Sequence, residues 1–570
     1  MNLRRLLLYV ILLSLVIAPR WASLKAFVTV DEPFWLSVGA NFYYALGQRE
    51  FQNTVYEYHP AVTTMWFVTG GFLIYFPEFR GFGQGYFDVD KDKFDPYLLD
   101  HGKSPLQLLF FSRLLQLLLI TLIVLIIFHL LSLLVGDGYG LLITGFMASS
   151  PFFLGHSILL NHEALLAVCA VTSILSLLVY LVYARKLPYL ILSAFAAALA
   201  QLTKSSAIAF IPVIGLILCV STIKKMRHVG FGDALIDHSK ILGIWIAVLA
   251  LVYVIIWPGM WVEPGRMLYE VYGNAFSYAF QGSRLQVTHE LQPANFSLDA
   301  AGPVIRGFTS SLFARSTPLA WFGFSLAILS FFIRGESSPK PVLKWLQIYL
   351  IITAALFILM FGLAQGRNQL HYIMTSHVSL DLVAGLGWGI WIAWLASRWR
   401  TPGLEVIQFA WVTILLGMQL WSALAFGPYY YTYSNPIQTL LTGSRPSYGY
   451  GEGMELAADN MSAKPDAASK TVLAYHGRGP FSYFFPGRTL LLNPLWLEEP
   501  DMAPMVERLV QSDYLIFYDE FAGRSQRTAQ FVLALDDIQP ESVIPVQGLE
   551  NIRIYRVTDL TPEFYKKLTP

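Results

Sequence analysis

Eleven apolar segments, joined by loops whose basic residues all fall on one side, constrain this chain more than anything else in it. The segments read as 6–26, 106–135, 138–153, 162–183, 187–203, 206–223, 240–257, 317–333, 345–364, 372–396 and 404–426. Lipid offers no partners to backbone N–H and C=O groups, so such segments must be helices that bond internally. With this assignment Arg185, Lys186, Lys224, Lys225, Arg227, Lys240, Arg334, Lys340, Lys344, Arg398 and Arg400 join Arg4 and Arg5 on one face. The positive-inside rule makes that face cytoplasmic. A further apolar stretch ending near Phe76 contains Gly70-Gly71 and would reach only about 25 Å. Were it to cross, every later basic loop would change sides, so it reads as interfacial.

Composition agrees. The chain is 55% hydrophobic and 14% charged, against about 25% charged in soluble domains. Its mean hydropathy is +0.51. A net charge of +1 gives no reason to expect a nucleic-acid partner. Cys169 and Cys219 both sit in apolar runs, which leaves no disulfide framework and no thiolate metal site. The first run, Leu6–Ala18, is short enough for a signal-peptide h-region. An uncleaved helix is the better reading, because apolar character resumes at Phe27-Val28.

The organisation that follows is a membrane region, 1–440, and a small outer α/β domain, 441–570. The membrane region carries two large outer loops, 31–104 and 258–316. In the outer domain, strands are expected at 471–475, 489–492, 513–518 and 551–557, and helices at 453–461 and 502–512. No nucleotide-phosphate loop is present.

Chemistry concentrates where the first span ends. Asp31-Glu32-Pro33 precedes Phe34, Val38, Phe42 and Leu46, whose spacing predicts an amphipathic helix over 33–46 lying on the membrane surface. Asp31 either caps that helix or serves as a reactive carboxylate. Glu163, after Asn161-His162, opens the fourth span, and it is either a functional acid or part of an Asn161-capped first turn. Arg113 and Lys204 lie at the outer ends of their spans and could simply snorkel. Together Asp31, Glu32, His59, Arg113, Glu163 and Lys204 share one face and one depth. An acid/base group beside cations suits transfer from a lipid-linked phosphate: a carboxylate takes the acceptor's proton, and Arg and Lys hold the leaving charge.

These motifs resemble the C-type (GT-C) multi-span glycosyltransferases, in particular the family 39-like group. That group includes protein O-mannosyltransferases and the lipid A aminoarabinose transferase. Asp31-Glu32 is similar to the family's Asp-Glu pair, His59-Pro60 to its His-Pro element, and Arg113 to the arginine of the second span. Asn161-His162-Glu163-Ala164-Leu165-Leu166 resembles Asp-Ala-Leu-Leu, Leu202-Thr203-Lys204 its Leu-Thr-Lys, and His371-Tyr372-Ile373-Met374 its Arg-Tyr-Leu-Leu-Pro. The tail, with 429–436 and Gly449-Tyr450-Gly451-Glu452-Gly453, looks like that of prokaryotic members with an appended outer domain.

The resemblance implies a GT-C fold, a polyprenyl-phosphate sugar donor and an inverting transfer to a protein, lipid or glycan hydroxyl outside the cell membrane. It implies Asp31 as base, Glu32 as an orienting group, and Arg113, with Lys204 and His59, at the donor phosphate. Glu163, His162, Glu57, Tyr58 and His371 are the expected substrate contacts. No cofactor is expected; some relatives use a divalent metal, which here would lie between Glu163 and Asp31. His371 and Thr375 depart from the usual Arg and Pro. The acidic insertion 77–104, with Asp88, Asp90, Asp92 and Asp95, reads as a solvated loop rather than a Ca²⁺ site, because Lys91 and Lys93 interrupt it and the central Gly is missing. Two rival readings are a flippase for lipid-linked sugars and a non-catalytic assembly protein. The first requires midplane charges and paired broken helices in repeated halves.

Overall fold

The computed structural model describes residues 3–56, 59–89, 91–281, 298–334, 338–364, 369–398, 404–443, 449–498 and 502–568. Each of the eleven expected spans contains a helix. Among the described residues, seven stretches are long and apolar enough to cross a bilayer: Pro105–Val135, Glu163–Tyr183, Ser205–Val229, Phe231–Ile256, Pro341–Leu363, Leu370–Arg398 and Val406–Leu424. Ala301–Arg315 and Pro318–Phe332 are bent by 112° and make an eighth if taken as one span. The remaining three fall short for identifiable reasons. Leu3–Trp21 carries Arg4, Arg5 and Arg20, while Asp137–Ala148 has 12 residues and Leu187–Thr203 has 17. By length and composition alone, seven or eight of the eleven expected spans, among the described residues, suffice to cross a bilayer. The chain is a multi-pass membrane protein.

Glu163–Val179 forms the centre of the bundle. All of its 17 residues are buried, packed against Leu187–Thr203, Pro105–Val135 and Met374–Arg398. A helix apolar on every side suits either a protein core or lipid, and here the neighbouring helices enclose it. Its first residue therefore sits at the centre of one end of the bundle.

The first outer segment packs on that end. Pro33 starts the helix Glu32–Gln48 as expected, but the helix is not a surface helix. Trp35, Leu36, Val38, Phe42 and Tyr43 are all buried, on several sides, and a β-carbon on Gly39 would meet Val68 at 2.4 Å. The start of the helix is covered by the C-terminal region, where Arg478 donates to Ser37, and its later turns by the first outer segment, where Asn41 bonds Phe87 and Tyr44 packs on Tyr86. Val62–Tyr75, with 14 residues, spans about 21 Å and runs beside the start of Pro105–Val135.

After residue 449 the chain builds a five-stranded sheet in the order β2-β1-β3-β5-β4. The strands are β1 (Thr471–Ala474), β2 (Arg488–Leu491), β3 (Tyr514–Tyr518), β4 (Ser542–Val546) and β5 (Leu549–Arg556). β1 pairs parallel with β2 and β3, and β5 pairs antiparallel with β3 and β4. β4 was not expected from the sequence, because Pro545 removes a ladder donor and shifts the register. Pro545 is tolerated because β4 is an edge.

The sheet layer docks through one arginine above all. Arg478 donates to Asp95 at 3.0 Å and to Ser37 at 2.7 Å, and it lies 3.3 Å from Asp92. Tyr483 donates to the other Asp95 oxygen at 3.0 Å. The acidic insertion is thus an anchor for the C-terminal region rather than a solvated loop; Asp90 lies outside the described residues. At Gly479, where φ is +86°, a β-carbon would lie 2.2 Å from Pro33, so the turn after Arg478 requires glycine.

Candidate active site

Asp31 and Glu32 are adjacent and have opposite fates. Asp31 holds the N-cap position of the helix, yet its side chain makes no capping bond. It accepts instead a hydrogen bond from the Tyr450 hydroxyl at 2.5 Å. Glu32 is fully buried. It accepts from Arg113 Nε at 2.7 Å and Nη2 at 2.5 Å, from Leu160 N at 2.7 Å, and from the N–H and hydroxyl of Thr29 at 2.8 and 2.9 Å. A bidentate pair with this many donors is a rigid joint between the first loop, the second span and the turn before Glu163.

Arg113 has little left to offer a ligand. It is 1% exposed, and its guanidinium also donates to the carbonyls of Leu24 and Phe27 at 2.7 and 3.0 Å. In this structure the donors of Arg113, expected from the resemblance to hold the donor phosphate, go to Glu32 and to two backbone carbonyls. Arg113 holds Glu32, and through it the backbone that presents Asp31.

A second buried pair stands beside this one. Lys204 donates to Glu163 at 2.5 Å, and its ammonium lies 4.3 Å from the Tyr372 ring centre. Neither simple reading of these residues survives: Asn161 makes no cap, since His162 holds that position, and Lys204 is buried rather than snorkelling. His162 bonds Thr64 at 2.8 Å and packs edge-on to Trp35, with ring centres 4.2 Å apart. His59 joins the same cluster, 5.9 Å from Trp35 and 5.8 Å from His162. Glu57 and Tyr58 lie outside the described residues.

Asp31 opens onto a cavity of about 480 Å³. Its walls include His156, Arg315, His371, Tyr431, Tyr450 and Arg524. His371 stacks on Tyr450 at 5.9 Å, and His156 lies 6.0 Å from His371. Burial pushes the Asp31 carboxyl above its ordinary value; the Tyr450 bond pulls it back, Glu32 pushes it up and Lys204 pulls it down. Burial lowers His156 to about 3, so it is neutral at pH 7. The cavity is therefore lined by three acidic residues, Asp31, Glu452 and Glu520, and by the cationic side chains of Arg315 and Arg524.

Arg315 and Arg524 escaped the sequence reading, and Tyr450 entered it only within the Gly449–Gly453 motif, with no site role. Arg315 comes from the second large loop and donates to the Thr432 and Tyr433 carbonyls at 2.8 and 3.1 Å. No local pattern links it to Asp31, although the aromatic 429–433 turn that seats it stood out in the sequence. Asp381, buried within the spanning helix, was also passed over.

Among the described residues no group of three or more His, Cys, Asp and Glu side chains is arranged for a metal ion. An ion between Glu163 and Asp31 would compete with Lys204 for the Glu163 carboxylate, so this donor set does not fit one.

No protein-family profile and no curated protein matches the chain. Among solved structures it is similar to ArnT from Cupriavidus metallidurans bound to undecaprenyl phosphate, with 12% identity, 97% of this chain and 99% of that one covered, and a TM-score of 0.45. It is also similar to the Archaeoglobus fulgidus oligosaccharyltransferase in complex with Zn and sulfate, with 12% identity, coverage of 93% and 69%, and a TM-score of 0.42. A third similar structure is AglB from the same organism with an inhibitory peptide and a dolichol-phosphate, at 12% identity, 94% and 71% coverage, and a TM-score of 0.42.

Proposed function

We propose that this chain is a membrane glycosyltransferase that moves one sugar from a polyprenyl-phosphate donor to a hydroxyl acceptor. The observation that carries the reading is Asp31, a part-buried carboxylate lining a 480 Å³ cavity at the end of the bundle away from the basic loops. Asp31 takes the proton of the acceptor hydroxyl. The acceptor oxygen bonds to the anomeric carbon, the bond from that carbon to the phosphate oxygen breaks, and configuration inverts. Polyprenyl phosphate leaves with its charge met by Arg315, which lines the cavity with His371, while the Lys204–Glu163 pair stands behind Asp31. Glu32 and Arg113 position Asp31 rather than touch substrate.

The polyprenyl donor is drawn from the order of the sequence motifs, and the outer-face location from the sidedness of the lysines and arginines. Lys204 takes the charge-balancing place beside Glu163 that a divalent ion would need, so the reaction is proposed to run without one. The test is to incubate the purified protein with a panel of undecaprenyl-phosphate-linked pentoses and hexoses and to measure release of undecaprenyl phosphate. One donor should turn over, at the same rate with and without chelator. No release from any donor opposes the reading, and loss of release on chelation removes the metal-free part of it.

A further inference from the structure

Asp31 has two carboxylate oxygens, and the C-terminal region holds only one of them. The Tyr450 hydroxyl donates to Oδ2 at 2.5 Å, whereas no group among the described residues donates to Oδ1. Asp31 and Tyr450 both line the cavity. We propose that Tyr450 is a positioning residue for the base: it fixes Oδ2, leaves Oδ1 to take the acceptor's proton, and is itself held in place by Glu452. The inference rests on Asp31 being the base.

Both the ring and the backbone of Tyr450 are held. The ring stacks on His371 at 5.9 Å and meets Tyr431 edge-on at 6.1 Å. The Glu452 carboxylate accepts from the Gly449 and Tyr450 N–H groups at 3.1 and 2.8 Å, which closes the chain tightly around it. Around this turn, the Glu452 carbonyl accepts from Tyr518 at 2.6 Å, and the Gly453 N–H donates to the Tyr429 hydroxyl at 3.1 Å. Val30 N donates to the Tyr450 carbonyl at 3.3 Å. At Gly451, where φ is +118°, a β-carbon would lie 2.4 Å from the Val28 carbonyl oxygen. The strip is thus held from three sides: the C-terminal sheet, the 429–433 turn and the segment just before Asp31.

Such a donor does two things for a base. It favours the ionised carboxylate, the form that can accept a proton. It also removes a rotation: the last torsion of an aspartate is broad, and a fixed partner on one oxygen sets where the other points before the reaction begins. Burial and the neighbouring carboxylates hold the Tyr450 hydroxyl well above its ordinary range, so it stays a donor and does not act as a base itself. The groups that face Asp31 besides Tyr450 are Glu32 beside it and Lys204 and Glu163 from the neighbouring spans. Across the cavity stand Glu452, Glu520, Arg315, Arg524 and the histidines 156 and 371. Tyr450→Phe removes one oxygen from this set and keeps the ring.

The test is single-turnover release of undecaprenyl phosphate from the active donor, followed across pH in the full-length protein. In Tyr450→Phe the acid limb should move up by about one pH unit, the size expected for losing a hydrogen bond to a charged group. Carbodiimide labelling of Asp31, read by peptide mass spectrometry, should show the same shift without a donor. The high-pH plateau should also fall by about 10-fold, because orientation is lost as well as charge. A plateau at the wild-type height would overturn the proposal. Adding Tyr450→Phe to Asp31→Asn should cost nothing further, and a further 10-fold loss there would also overturn it. Glu452→Gln, which still accepts from both N–H groups, should lie nearer the wild type than Glu452→Ala; should the latter unfold, the isosteric Tyr450→Phe decides. Failure of Asp31 as base would appear separately, as wild-type release in Asp31→Asn alone.

Discussion

The two ends of the helix that begins at Glu163 carry ion pairs of similar chemistry and unlike character. At its start, Glu163–Lys204 and the neighbouring Glu32–Arg113 have side chains no more than 7% exposed. Beyond its other end, Arg185 and Lys225 share Asp237, and these three side chains are 39%, 29% and 30% exposed. Taking charges out of water costs several kcal/mol per ion, which pairing only partly returns. An exposed pair avoids that cost and contributes about 0–1 kcal/mol. The buried pairs are therefore retained for what they position, and the exposed ones mark the face on which the basic loops gather.

The largest effect should come from breaking a buried pair on one side. Arg113→Met leaves the Glu32 carboxylate buried without its partner and should cost about 3–5 kcal/mol in reversible unfolding in detergent. The double variant Glu32→Gln with Arg113→Met should recover much of that stability but not the donor turnover. Recovery of both would remove the positioning role. Next comes the anchor of the C-terminal region. Arg478→Ala loses bonds to Asp95 and Ser37 and should cost about 1.5–3 kcal/mol, with faster hydrogen exchange at residues 477–485.

Asp95 gives the same joint a pH dependence. Burial pushes its carboxyl up to about 6, even with Arg478 beside it. A carboxyl whose folded value exceeds its unfolded value, about 3.9, stabilises most below the unfolded value and loses that contribution as pH rises through the folded one. Stability should thus decline between about pH 4 and 6, and Asp95→Asn should flatten that part of the curve. The smallest effect belongs to the exposed pair: Asp237→Asn should change stability by about 0.2–1 kcal/mol, and less at high salt. A larger loss would end the contrast between the two ends.

How far the sequence could be read follows the same division. Helix positions were legible, because lipid-facing and core-facing helices both advertise themselves as apolar runs. Helix length was less legible: Asp137–Ala148 and Leu187–Thr203 have 12 and 17 residues, shorter than the apolar runs around them suggest. Asp31 and Glu32 were legible as a pair, but their separate roles depend on Arg113 and Tyr450, 81 and 419 positions away. The burial of Glu32–Gln48 on several sides was not legible for a related reason: the residues that cover it come from 72–87 of the first loop and, at Ser37, from Arg478. Central β3 was visible as a run of buried aromatics and aliphatics, whereas edge β4 with Pro545 carried no comparable pattern.

The most direct measurement is single-turnover release of undecaprenyl phosphate from the active donor, comparing wild type with Asp31→Asn. The substitution keeps the shape of the side chain, and it leaves the Glu32–Arg113 pair in place. A general base at Asp31 predicts that release slows by about 10²–10⁴-fold while the protein remains folded. Release at the wild-type rate would contradict the account.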